Sequence, residues 1–138
     1  MLARLGERTT SASVPAIVLD AAVEAVYLDG GRITGTWFEP VERGTVEHAA
    51  IFPVTYRDEE FAVLALPPRR GESGFTARDR RVLAALISYA APAMHGARTL
   101  LDLLESRTRL VTAREEERRR LRRELHDSLG PALSGLSL

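Results

Sequence analysis

The sequence is 138 residues long, which allows one compact domain plus an extension, and its 45% hydrophobic and 28% charged residues are typical of a globular protein. Its 19 arginines balance 19 acidic residues, and this zero formal net charge excludes a strongly basic nucleic-acid binder for the chain as a whole. The sequence contains no Cys, which excludes disulfides, thiolate metal sites and Cys nucleophiles.

The first predicted element is a helix that follows an N-terminal helix or tail over residues 1–13. Ser13 offers a capping side chain, and Pro15 fits the first turn of a helix, where its missing N–H costs nothing. A four-residue apolar spacing predicts the buried face of this helix: Val18, Ala22 and Val26. We therefore expect the helix to begin at about Ser13.

Three β-prone runs over residues 32–38, 51–56 and 61–66 predict the strands of an antiparallel sheet. The glycine-containing segment 29–31 is interpreted as the turn before the first run. The short acidic segment 58–60 between the second and third runs predicts a hairpin. Because the third run is almost continuously apolar, it is expected to be a central, buried strand.

A long helix is predicted after a loop rich in Pro and Gly. Thr76 opens the helix, with Asp79 three residues later as a weaker form of the capping box, and Pro92 predicts a kink. The apolar stripe follows helical spacing: Val82, Leu83, Leu86, Ile87, Ala90, Met94, Ala97, Leu101 and Leu104. From residue 98 onward dense charge and a broken seven-residue repeat predict a coiled-coil connector. Its seam is expected to pair with a second copy of the chain through Leu104, Val111, Leu121 and Leu125.

His126 and Asp127 are the residues best suited to chemistry in this helix. Neutral imidazole is a nucleophile at physiological pH, so His126 can accept a phosphoryl group. Asp127 can accept the imidazole proton or hold the required tautomer. If Leu121 and Leu125 face the partner helix, His126 lies about 100° around the helix, on an accessible flank.

Residues 115–138 resemble the phosphoacceptor helix of sensor histidine kinases of the NarX/DesK-like subfamily. The resemblance is carried by the run Glu-Glu-Glu-Arg-Arg-Arg-Leu-Arg-Arg-Glu-Leu-His-Asp-Ser-Leu-Gly. It implies that His126 is phosphorylated from ATP, that Asp127 acts as general base, and that the phosphoryl group passes to an aspartate of a response regulator. By spacing alone, His126 can equally be an idle side chain on the solvated face of a charged coiled coil.

The sequence departs from this family pattern in two ways. Family members with phosphatase activity carry a Gln five residues after the His; here that position is Pro131, so phosphatase activity by the usual route is not expected. The glycines at 30–31 and at 71 and 74 are interpreted as turns and not as phosphate-binding loops. We therefore expect a truncated piece that is inactive alone, with ATP and Mg bound by a catalytic domain of the parent protein and no metal or cofactor of its own.

Residues 14–98 resemble the second half of a GAF domain, an antiparallel sheet with flanking helices. The hairpin over 51–66 and the segment Gly-Phe-Thr-Ala-Arg-Asp at 74–79 carry this resemblance. It implies a sensor domain, but the segment over 28–49 is short for the walls of a ligand pocket. A degenerate structural or dimerising module remains the alternative.

Other residues have ordinary interpretations. His48 and His95 are expected to be plain surface or core residues and not haem or metal ligands, and Trp37 and Phe38 are expected in the sheet core. Over residues 107–127 eight Arg meet five acidic residues, and pairs such as Glu115–Arg119 and Glu116–Arg120 favour a solvated helix face over a DNA-binding one.

Together these features predict an α+β chain. A compact GAF-like sheet domain over 14–98 is followed by a coiled-coil linker over 99–113 and the first helix of a dimerisation and phosphotransfer domain over 114–138. We expect a cytoplasmic homodimer that meets a response regulator but no nucleic acid, and that contains no membrane segment, with an upstream membrane tether of the parent protein left open. The alternative function is a small-molecule sensor or dimerisation module without chemistry of its own.

Overall fold

The computed structural model describes the backbone of residues 2–136 and the side chains of residues 13–136. The elements are α1 (Leu2–Ala25), β1 (Gly30–Thr34), β2 (Val41–Gly44), β3 (Ala50–Tyr56), β4 (Glu59–Leu66) and α2 (Ala77–Leu136). The predicted α+β class is therefore confirmed. The chain divides into two compact units, here called the sheet unit (Met1–Leu101) and the helical unit (Asp102–Leu138). The finer domain boundaries expected from the sequence stay predictions.

Helix α1 begins earlier than the sequence predicts. It starts at Leu2, so Pro15 lies inside the helix and the prediction of a start at Ser13 is wrong. A proline inside a helix removes one backbone hydrogen bond, but the Pro15 ring is fully buried, and this burial offsets part of the cost. The predicted apolar face is confirmed, since Val18, Ala22 and Val26 are all buried.

The four strands form one antiparallel sheet in the order β2-β1-β4-β3. β4 is an interior strand, as its apolar sequence predicts. β1 starts at Gly30 and ends at Thr34, so the glycines at 30–31 belong to a strand and not to a turn, and the run predicted to Phe38 is too long. Gly30 lies opposite Gly44, where an added Cβ would come 2.3 Å from the Arg43 carbonyl oxygen. This close approach of the two strands explains why glycine stands there.

The predicted β3–β4 hairpin is confirmed, with its turn one residue earlier than expected. Arg57 and Asp58 have φ angles of 51° and 63°, the left-handed values that a two-residue type I′ turn requires at both positions. Glu59 and Glu60 therefore belong to β4. Pro53 lies in β3, which is an edge strand, the position in a sheet that tolerates a residue without an N–H.

One face of the sheet carries the core of the sheet unit. Residues paired across antiparallel strands point to the same face, so Ile33, Leu64 and Phe52 lie together and pack with residues of both helices. Leu19 of α1 and Met94 of α2 are completely buried in this cluster. The sheet unit is therefore a layer of helices against one layer of strands.

Arg69 joins three parts of the sheet unit. Its guanidinium donates to the Val26 carbonyl oxygen just after α1 (2.8 Å) and to both carboxylate oxygens of Asp79 (3.1 and 2.6 Å). Asp79 also completes the predicted capping box, because it accepts from the Thr76 N–H at 3.0 Å while the Thr76 hydroxyl accepts from the Asp79 N–H at 3.1 Å. The start of α2 is thus tied to the end of α1, and Asp79 is the buried charged residue that makes the link.

We expect the stability of the sheet unit to depend on pH through Asp79. The hydrogen bonds from Arg69, and then that from the Thr76 N–H, lower the pKa of Asp79 from 3.8 to about 2. Because the pKa of Asp79 is lower in the folded than in the unfolded state, its ionised carboxylate adds to the free energy of unfolding above the unfolded pKa. This contribution is lost as the pH falls through about 2. Denaturant unfolding between pH 5 and pH 2 should show this loss in the wild type and a flatter profile in Asp79→Asn. Asp58→Asn, in the exposed hairpin turn, is the matched control; an equally steep profile in Asp79→Asn contradicts the assignment.

Candidate functional site

His126 and Asp127 lie side by side on α2 in the helical unit. Their side chains are 88% and 84% exposed, and the His126 Nδ1 atom lies 3.8 Å from the Asp127 Oδ1 atom. This separation exceeds a hydrogen bond. The other ring nitrogen, Nε2, is therefore left to act as the nucleophile when Nδ1 donates to the carboxylate.

The sequence around the pair explains why it lies on a regular helix. Residues 102–129 contain no Gly or Pro and are rich in Arg, Glu and Leu, which are strong helix formers. The helix continues through Gly130 and Pro131 to Leu136. Because Pro131 has no N–H, the Asp127 carbonyl oxygen lacks its usual helical partner. The candidate site thus ends one turn before a weakened point of the helix.

An exposed leucine stripe flanks the site on the same helix. Leu121, Leu125 and Leu129 follow four-residue spacing and are 46%, 59% and 53% exposed. Such a stripe is available to a partner helix, in agreement with the predicted seam. Leu104, however, is only 6% exposed in the single chain, so little of its surface is available to a partner helix.

The arginines before His126 differ in their ion pairing. Arg120 contacts Glu117 at 2.6 Å and Glu124 at 3.7 Å, and its hydrogen bond lowers the pKa of Glu117. The predicted pairs of Arg119 with Glu115 and of Arg120 with Glu116 are absent from the described residues. Arg119, Arg122 and Arg123 form no ion pair within the described residues, and together with Glu116 they line one surface groove. This group could not be found from the sequence, because a count of acidic and basic residues does not show which of them form ion pairs.

The remaining histidines show no sign of a ligand site. His95 is partly buried against the rings of Tyr56 and Phe61, at centroid distances of 5.2 and 5.4 Å, and His48 is exposed in a loop. Among the described residues, no group of three or more His, Asp or Glu is placed to hold a metal ion. Trp37 lies in the loop after β1 and not in a strand, and its Nε1–H donates to the Phe61 carbonyl oxygen at 2.7 Å.

The sheet unit has an open groove beside β3. Phe52 and Ile87 form its apolar part, and the Arg80 guanidinium lies 5.8 Å from the centre of the Phe52 ring. Its volume is about 400 Å³, a size at the lower end of small-molecule sites. In the part of the chain that the structure describes, no helix has the length and apolarity to span a membrane.

Comparison with known proteins gives one informative similarity. No family model matches the chain, and no solved structure matches it. A protein of Chloroflexus aurantiacus named an uncharacterized sensor-like histidine kinase is 39% identical over 57 residues. The match covers 41% of this chain and 10% of that relative, so the chain corresponds to a small part of the relative's length. Over that part, the chain is similar to a sensor-like histidine kinase.

Proposed function

We propose that this chain is the sensory and phosphoacceptor part of a two-component histidine kinase, in which His126 carries the phosphoryl group. The observation that supports the proposal most directly is the exposed His126–Asp127 pair on a regular helix, with Nδ1 facing the carboxylate. The similarity to a sensor-like histidine kinase is the second support. The resemblance of residues 115–138 to the NarX/DesK-like phosphoacceptor helix supplies the assignment of roles.

The proposed chemistry assigns one role to each nitrogen of the His126 ring. The His126 Nε2 lone pair attacks the terminal phosphorus of ATP, the P–O bond to ADP breaks, and the Nδ1 proton moves toward Asp127. Asp127 therefore removes the positive charge that would otherwise build up on the ring. In the second step, an aspartate carboxylate of a response regulator attacks the phosphorus, the P–Nε2 bond breaks, and the proton returns from Asp127 to Nδ1, so that His126 leaves as neutral imidazole.

The proposal places ATP and Mg outside this chain. The described residues contain no cluster of acids fit to hold a metal ion. The glycines at 30–31, interpreted from the sequence as a turn, are strand residues. The resemblance of residues 115–138 to a phosphoacceptor helix implies a separate catalytic domain of the same kinase as the donor, and the proposed role of this chain is to present His126 to it.

The proposal also includes a homodimer and a sensor. The leucine stripe leaves about half of each leucine exposed in the single chain, and a second copy of the same helix is the simplest partner. The sheet unit, an antiparallel sheet covered by helices, is proposed as a GAF-like sensor module, with the groove beside β3 as the place to look for a ligand.

The experiment that tests this function is phosphoryl transfer to the chain in trans. Mixed with ATP, Mg and the catalytic domain of a histidine kinase, the wild type should gain an acid-labile, base-stable label. Asp127→Asn should slow labelling by about 10²–10⁴-fold, the usual contribution of a general base. Asp102→Asn, which changes another exposed aspartate of the helical unit, should label at the wild-type rate. Equal rates in the two variants would remove Asp127 from the mechanism.

A further inference from the structure

The face of α2 that carries His126 also carries the arginines of the surface groove, Arg119, Arg122 and Arg123. On a helix with 3.6 residues per turn, Arg122 lies about 40° to one side of His126 and Arg123 about 60° to the other. Both lie about one turn before it, at a rise of roughly 4.5–6 Å. Residues three and four apart on a helix are neighbours on its surface, so Arg122 and Arg123 are the two arginines nearest to His126 along this face.

Nothing in the described part of the chain neutralises these two side chains. Neither Arg122 nor Arg123 has a carboxylate within 4 Å in residues 13–136, while their neighbour Arg120 is paired with two glutamates. Arg122, Arg123 and Arg119 line the same groove, so their charges point to one side of the helix. Although Glu116 lines the same groove, the three arginines leave an excess of positive charge on the helix face that carries His126, and this excess raises the local concentration of anions there.

We infer that Arg122 and Arg123 form an anion clamp, which holds the phosphoryl group as it is transferred to and from His126. A phosphoryl group carries close to two negative charges and three acceptor oxygens, and planar guanidinium groups match it with paired N–H donors. The two arginines act as positioning residues, since they orient the phosphoryl oxygens and exchange no proton. This inference rests on the proposed function and adds residues to the same site.

The clamp can be tested without a catalytic domain by using phosphoramidate as the donor. His126 Nε2 attacks the phosphorus of phosphoramidate, the P–N bond to the leaving group breaks, and ammonia leaves with the proton that the imidazole releases. We expect Arg122→Gln/Arg123→Gln to label His126 roughly 10-fold more slowly at low donor concentration, the loss typical of two exposed charge contacts. Arg122→Lys/Arg123→Lys keeps both charges but loses the paired N–H donors, so it should recover only part of the rate lost in the glutamine variant, which a purely structural role of the arginines would not produce.

The matched control is Arg78→Gln/Arg81→Gln, which removes two exposed, unpaired arginines from the sheet unit. An equal loss of rate in this control would mean that net charge alone attracts the donor, and it would overturn the clamp. Unchanged labelling of the Arg122/Arg123 glutamine variant would overturn it as well, provided that circular dichroism shows the same helix content. Labelling from ATP in trans is measured separately; if it fails while the phosphoramidate result holds, the proposed kinase function is wrong and the clamp is not.

Discussion

Substituting Gln for His126 is expected to abolish phosphorylation of the chain by ATP and a catalytic domain supplied in trans. Gln fills a similar volume and forms helices well, so the exposed helix should keep its structure while losing its only nucleophilic nitrogen at this position. The measurement is the acid-labile label on the purified chain, followed by its transfer to a response regulator. We expect no label above background, the largest effect that any single substitution in this protein should have.

His48→Asn is the control for the His126 variant. His48 is exposed, and its φ of 56° suits Asn well, so this substitution should change neither the fold nor the label. Label that remains in His126→Gln would show that another group accepts the phosphoryl. The alternative, a sensor or dimerisation module without chemistry, would gain support if the wild type itself took no label from any histidine kinase catalytic domain.

Replacing Leu121 and Leu125 by Asp is expected to convert a dimer into monomers. Full burial of a leucine contributes about 1.5–3 kcal/mol, and these side chains are already half-buried in the single chain. Removing four leucines per dimer therefore costs roughly 3–6 kcal/mol of association free energy. This loss raises the dissociation constant by about 10²–10⁴-fold. Analytical ultracentrifugation over a range of concentrations measures this change.

Thr112→Asp/Ala113→Asp adds the same two charges away from the leucine stripe and should leave the dimer intact. Both residues are exposed, and helical spacing puts them about 130° from the centre of the stripe. A wild-type chain that is monomeric at high concentration would contradict the proposed seam. Dissociation of the control and the stripe variant to the same degree would assign the effect to charge and not to the stripe.

Local sequence signals predicted the elements in which pattern and packing agree. The β3–β4 hairpin, the interior position of β4 and the capping box of Thr76 and Asp79 all rest on short-range rules, and all are confirmed. β2 was missed because its residues, Val-Glu-Arg-Gly, have weak strand propensity and are mostly exposed, so only pairing with β1 makes them a strand. The early start of α1 was missed because Pro15 normally marks a first turn, whereas burial of its ring stabilises it inside this helix.

Only part of the candidate site could be predicted from the sequence. A sequence motif singles out His126 and Asp127, and both side chains are exposed, as the proposed roles require. The roles themselves stay a prediction. The ion pairs could not be derived from spacing, because Arg120 has acidic neighbours at both three and four residues and selects Glu117 and Glu124. Side-chain rotamers decide such choices. The bidentate link from Arg69 to Asp79 joins residues of a loop and a helix and has no sequence signature.

The edges of the sheet have a consequence for the behaviour of this protein in concentrated solution. Fibrils grow when an outer strand offers a complete row of backbone donors and acceptors to the next molecule. Here β3 is interrupted by Pro53, and β2 offers only four residues, two of them charged. Neither edge strand therefore offers a suitable template for the addition of a strand from another molecule. The proposed association through the helices differs in kind, because a two-fold arrangement closes at two molecules and does not recruit a third.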